Sequence, residues 1–116
     1  MSHAEIIVRM FAAIDNRRWD ALAEFFGADA IYERPGYAPL RSLDDILMFY
    51  QLDRIIKQGT HRIERVVCDD EAACCWGSFE GKSKSDERLH EQFADVYRIT
   101  KGKIVYRQTF FYRAAI

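Results

Sequence analysis

The apolar residues of this chain change their spacing near Gly59. Before it they recur three and four residues apart, the period of a helix face; after it they alternate with polar residues in four long runs, the period of a strand. Helices followed by a strand meander can bury their apolar faces together only as an α+β domain, with the helices covering one face of a mainly antiparallel sheet. At 116 residues the chain is one domain, 1–116, large enough for a real core.

The helical half reads in three pieces. Ser2-His3-Ala4-Glu5 is a capping-box start, followed by Ile6, Ile7, Met10, Phe11 and Ile14 on one face. Asp15-Asn16 closes that helix and can cap the next, whose short stripe Trp19, Leu22, Phe25 and Phe26 runs to Gly27. Residues 29–33 read as a short strand stopped by Pro35-Gly36, and a loop follows to Leu40. Ser42, Asp44 and Asp45 start a third helix that Ile46, Leu47, Phe49, Tyr50 and Ile56 carry to Gly59. Strands are expected over 61–68, 72–82, 89–99 and 103–113. Asp69-Asp70-Glu71 and Thr100-Lys101-Gly102 make tight turns, and a longer polar loop spans 83–88.

Charge and cysteine usage narrow the function classes. Seventeen Lys and Arg against eighteen Asp and Glu give a net charge of -1. That balance argues against a nucleic-acid or anionic-membrane partner. No apolar run approaches the roughly 20 residues of a membrane span, and no secretory signal pattern opens the chain. Cys68, Cys74 and Cys75 lack metal-ligand spacing and read as reduced, mostly buried thiols of a cytoplasmic protein. Aromatic residues make up 14%, enough for a thick core, a lined pocket or an interface.

On the 89–99 strand, Glu91, Phe93, Asp95, Tyr97 and Ile99 share one face. Asp95 is therefore an acid among apolar neighbours. Full desolvation would raise its pKa by about 3–5 units, and a neighbouring arginine would lower it by about 1–3. The first outcome makes a neutral hydrogen-bond donor, the second a carboxylate that accepts protons or orients water.

Phe11-Ala-Ala-Ile-Asp15, Trp19-Asp20-Ala21-Leu22 and Asp29-Ala-Ile-Tyr32-Glu33-Arg34-Pro35, with the ending Asp95-Val-Tyr-Arg-Ile99 and Gly102-Lys103-Ile104, resemble the nuclear transport factor 2-like superfamily. The likeness is to its SnoaL-like and ketosteroid-isomerase-like branch and covers essentially the whole chain. It implies a curved sheet wrapped around three N-terminal helices as a cone with a pocket, and a homodimer through the sheet's outer face. By this match Asp95 sits where ketosteroid isomerases keep the acid of their oxyanion hole. Arg34 stands in the place of their general base and Met10 in that of their oxyanion tyrosine. Thr109 replaces the final-strand Asp of SnoaL-type cyclases. Arg107, Thr109 and Phe111 would face inward from the last strand, and Tyr32 and Arg34 from the first.

The implied site has Asp95, Arg34 and Arg107 as catalytic groups. Met10, Tyr32, Tyr50, Phe93, Tyr97, Thr109 and Phe111 line it around a small apolar or cyclic ligand. Two arginines beside one cavity favour the Asp95 anion. The function this implies is a cofactor-free isomerase, cyclase or dehydratase acting on a polyketide- or steroid-like metabolite. The alternative is a non-catalytic ligand-binding or protein-interaction domain of the same fold. His61 and His90 are expected at the surface or an interface. Trp76 either caps the pocket or faces a partner. Trp76, Phe79, Val96 and Phe110 are the apolar residues left over for a dimer face.

Overall fold

The computed structural model describes residues 1–113. Helix α1 (His3–Asp15) begins with the expected reciprocal cap: Ser2 Oγ accepts from the Glu5 N–H at 3.1 Å and Glu5 returns a carboxylate to the Ser2 N–H. Its buried face is Ile6, Ile7, Met10, Phe11, Ala13 and Ile14. A 3₁₀-helix (Trp19–Glu24) follows, then strand β1 (Phe26–Glu33), helix α2 (Leu43–Met48) and a wider π-helical turn (Phe49–Asp53). Four long strands complete the chain: β2 (Ile56–Cys68), β3 (Ala72–Ser83), β4 (Arg88–Thr100) and β5 (Lys103–Phe111).

The five strands form one sheet in the order β1-β5-β4-β3-β2. Successive pairs from β2 to β5 are antiparallel, and β1 lies parallel to β5. The expected α+β architecture is the one observed, with the helices packed against one sheet face over a single main core. No helix among the described residues is long and apolar enough to cross a membrane.

Three boundaries differ from those the sequence pattern predicts. Gly27 does not end a helix but lies inside β1, which starts at Phe26 rather than Asp29. Gly59 does not end the third helix. That helix stops at Asp53, and Gly59 lies in β2 opposite Gly81. A Cβ on Gly59 would sit 2.1 Å from the Phe79 ring, so this glycine exists to let an aromatic lie across the strand. Asp15 does not cap the 3₁₀-helix, which has no side-chain cap; its carboxylate goes to His61.

Phe79 is also corrected. It is buried on the inner face, 2% exposed, and is not part of the outer surface. Trp76, Val96 and Phe110 do face outward, at 38%, 37% and 47% exposure. Trp76, Ala94 and Phe110 are cross-strand neighbours, so they form one apolar row on the outer face. Of the three cysteines, expected to be mostly buried, only Cys75 is buried.

Candidate functional site

Alternation on β4 buries Glu91, Phe93, Asp95, Tyr97 and Ile99 together, as expected, and leaves His90, Gln92 and Arg98 outside. Register then sets Asp95 beside Thr109 and Tyr97 beside Arg107 on β5, and Arg107 beside Tyr32 on β1. Three adjacent strands thus deliver an acid, a guanidinium and two phenols to one spot. Tyr50 joins them from the π-helical turn.

Asp95 is fully buried. Its Oδ2 accepts from Arg107 Nε at 2.9 Å and from the Tyr97 hydroxyl at 2.7 Å, while Oδ1 has no hydrogen-bond partner among the described residues. Arg107 also donates through Nη1 to the Tyr50 hydroxyl at 2.8 Å. Its guanidinium lies 4.3 Å from the centre of the Tyr32 ring and 5.1 Å from that of Phe11. Burial works against the charge of Arg107, but the Asp95 carboxylate and the surrounding phenols outweigh it and hold the pKa well above the ordinary value.

The phenols respond to the same field. Burial pushes Tyr32 up to about 12 against the pull of Arg107 and Arg34. At Tyr50 burial is again the largest effect. There the guanidiniums of Arg107, Arg34 and Arg54 overcome it, and the hydroxyl is more acidic than an ordinary tyrosine. Tyr97 moves the other way, raised well above its usual value by burial and by the Asp95 charge it donates to. A hydrogen-bonded chain continues outward: Arg34 Nη1 donates to the Tyr32 hydroxyl at 2.6 Å, which shares a proton with Thr109 Oγ1 at 2.8 Å.

These groups surround a narrow cleft lined by Arg34, Arg54, Ile56, His61, Phe79, Phe93, Arg107, Thr109 and Phe111. Its open centre is about 10 Å³, room for one water molecule. Of the residues singled out from sequence, Arg34, Arg107, Thr109, Phe93 and Phe111 line the cleft. Asp95, Tyr97, Tyr32 and Tyr50 stand behind Arg107 and hold it. Met10 is fully buried in the helix-side core.

Four further lining residues lie outside the candidate site set that the sequence gives: the apolar Ile56 and Phe79, and two polar ones, Arg54 and His61. Arg54, 5% exposed, follows the π-helical turn and lies over the Tyr50 and Phe79 rings. His61 is not a surface residue: its side chain is 10% exposed and its Nδ1 lies 2.6 Å from Asp15 Oδ1. The available signal is Asp15 itself, four residues after Phe11 and so on the buried face of α1.

No curated protein matches the chain by sequence. Solved structures do match. A protein of unknown function from Burkholderia pseudomallei, described as NTF2-like, superposes with a TM-score of 0.86 at 14% identity, covering 96% of this chain and 92% of its own. A SnoaL-like protein from Jannaschia sp. CCS1, assigned as a polyketide cyclase, gives 0.82 at 11% identity over 94% and 84%. TerC, co-crystallised with polyporic acid, gives 0.83 at 14% identity over 93% and 89%. The family model for the SnoaL-like domain matches residues 7–107, and the chain, whose cone carries the buried acid and arginine described above, belongs to the SnoaL-like domain family.

Proposed function

We propose that this protein is a cofactor-free acid–base enzyme of the isomerase, cyclase or dehydratase type, acting on a cyclic polyketide- or steroid-like metabolite. The observation that carries the reading is Arg107. It is buried, locked by Asp95 and Tyr50, and borders the cleft beside Thr109 and Phe93. A fixed cation in a dry, aromatic-walled cleft stabilises an enolate-like oxygen without having to reorganise as charge develops. Asp95 is then the anion that orients Arg107, and Thr109 and Arg34 contact the ligand. A neighbour assigned as a SnoaL-like polyketide cyclase and another co-crystallised with polyporic acid support the ligand class.

The test is exchange of substrate α-protons for deuterium in heavy water, followed by NMR on a panel of cyclic ketones and 1,3-diketones. Exchange above buffer on at least one ring ketone is expected, with a loss of about 100–1,000-fold in Arg107→Lys, the usual cost of one oxyanion donor. A panel with no exchange above buffer would remove the catalytic reading. One observation favours the alternative of a non-catalytic protein-interaction domain: the cleft has room for a single water, so any ring ligand must displace side chains to enter.

We propose the outer sheet face as the surface of a homodimer; the apolar row Trp76, Ala94 and Phe110, with Val96 beside it, supports this. Sedimentation at tens of micromolar (roughly the range that reveals weak association) should give a dimer, and Trp76→Arg a monomer. A wild-type protein that is monomeric there contradicts the assignment. Reading the Cys68, Cys74 and Cys75 thiols as reduced, we place the protein in the cytoplasm.

A further inference from the structure

Asp15 and His61 are joined by two contacts. The backbone N–H of His61 donates to Asp15 Oδ2 at 2.8 Å, and His61 Nδ1 meets Asp15 Oδ1 at 2.6 Å. Both oxygens of the carboxylate are therefore engaged by one residue, and the ring has no freedom to flip. Because a carboxylate only accepts, Nδ1 carries the proton and Nε2 keeps its lone pair. Nε2 lies on the side of the ring away from Asp15. The ring sits among Phe11, Phe79 and Phe93, at centroid distances of 4.6, 4.7 and 5.5 Å, and His61 lines the cleft. Burial lowers its pKa; Asp15 opposes this, and Arg54 and Arg107 reinforce it, so the imidazole is neutral near pH 7.

Across the same cleft, Arg54 shows what is missing. Among the described residues it has no carboxylate within ion-pair distance, and its buried Nε has no hydrogen-bond partner. The buried acids nearby are committed: Asp95 to Arg107, Asp15 to His61, and Glu91 to Arg113. A cation almost wholly out of water and unmatched by the protein is the complement of an anion that the protein does not supply.

We propose that His61, positioned by Asp15, is the proton acceptor of this cleft and that Arg54 receives the oxyanion it creates, so that the ligands are ring compounds with an acidic hydroxyl or an enolisable carbonyl. The inference rests on the pocket reading above and names its chemistry. In the step, the Nε2 lone pair takes a proton from the ligand O–H, or from a C–H beside a carbonyl. The electron pair stays on the ligand as phenolate or enolate, against Arg54 and Arg107. His61 becomes imidazolium, neutralised by Asp15, and can return the proton to another ligand atom, which completes an isomerisation. A tie that only fastens α1 to β2 would need neither an imidazole lining the cleft nor the unmatched cation that lines it too.

The probes are 4-nitrophenol, whose absorbance reports its ionisation, and its neutral methyl ether 4-nitroanisole. Wild-type protein is expected to bind 4-nitrophenol as phenolate, with its apparent pKa lowered by about 1–3 units, the effect of a nearby cation. The ¹⁵N signals of the His61 ring should pass from the singly to the doubly protonated pattern on binding. Arg54→Met should abolish the shift in the probe's ionisation. Asp15→Asn, isosteric with Asp15, should lose the protonated ring pattern with the phenolate still bound. The proposal is overturned if His61 stays singly protonated in the wild-type complex, or if Arg54→Met ionises the probe as the wild type does. Protein that binds the ether but shows no preference for the phenolate defeats this inference alone. If neither compound perturbs the Phe93 and Thr109 signals, the pocket reading falls with it.

Discussion

Asp95→Asn is expected to destabilise the fold by about 3–5 kcal/mol, the usual cost of stripping one partner from a buried ion pair. Asparagine preserves the shape and can still accept from Tyr97 and Arg107, so the hydrogen bonds survive. What is lost is the charge that compensates Arg107, and Arg107 is 2% exposed with its guanidinium enclosed by Tyr32, Phe11 and Tyr97 rings. At neutral pH Arg107 stays protonated rather than relieve the strain by neutralising. The loss is a large share of a small domain's roughly 5–15 kcal/mol. Urea unfolding would measure it, and a second variant gives the control. Asp95→Leu combined with Arg107→Met removes both charges and should recover most of the stability, since apolar replacement of a whole buried pair is often neutral or better. A loss below about 1 kcal/mol in Asp95→Asn, within the range of an exposed pair, would mean that Arg107 draws its compensation from elsewhere.

The same variant bears on function through position rather than proton transfer. Asp95 stands behind Arg107 and does not line the cleft. Any loss of catalysis in folded Asp95→Asn protein should therefore come from a weaker, uncharged hold on Arg107 and not from a lost proton. The alternation on β4 leaves acid and base both open to Asp95; we propose for it instead the task of holding a guanidinium.

Asp95 is legible in the sequence because β4 is regular. Phe93, Tyr97 and Ile99 keep step with it, and no glycine or bulge interrupts the alternation before Arg98. The inward facing of Arg34, Arg107 and Thr109 follows from the family resemblance and agrees with the observed burial. The opposite edge of the sheet is less legible for a physical reason. β2 carries register shifts between Ile56 and Gln58 and between Ile63 and Arg65, so its side chains do not follow one two-residue period. His61 lies between the two shifts, flanked by Thr60 and Arg62, and looks like part of a solvated run. On β3, Gly77 and Gly81 supply no side chains to reveal a face. Phe79 between them reads as outward, although it packs inward over Gly59. Arg54 is hidden by a continuous apolar stripe from Ile46 to Ile56, which reads as one helix. The chain leaves the π-helical turn at Asp53, with Arg54 already extended at φ -65° and ψ 130°.

Arg54→Met is expected to make the unliganded protein more stable, an unusual outcome for replacing a buried residue. Burial holds the Arg54 pKa down to about 10, well below the ordinary guanidinium value. At about 1.36 kcal/mol per unit, that depression corresponds to a penalty of about 3 kcal/mol on the protonated folded state. The sign follows from proton counting. Below pH 10 both folded and unfolded chains carry the proton, and the fold bears the full penalty. Above pH 10 the unfolded chain holds more protons than the folded one, so this residue's contribution to stability rises with pH. At neutral pH the penalty is entirely present, and methionine removes it while keeping an unbranched chain against the Tyr50 and Phe79 rings. Lost cation–ring attraction of about 0.5–2 kcal/mol offsets part of the gain, leaving a net increase of about 1–2 kcal/mol. Thermal unfolding at pH 7 measures it directly. A decrease in stability would mean that Arg54 is already compensated in the free protein, and would remove the argument that its cleft awaits an anion.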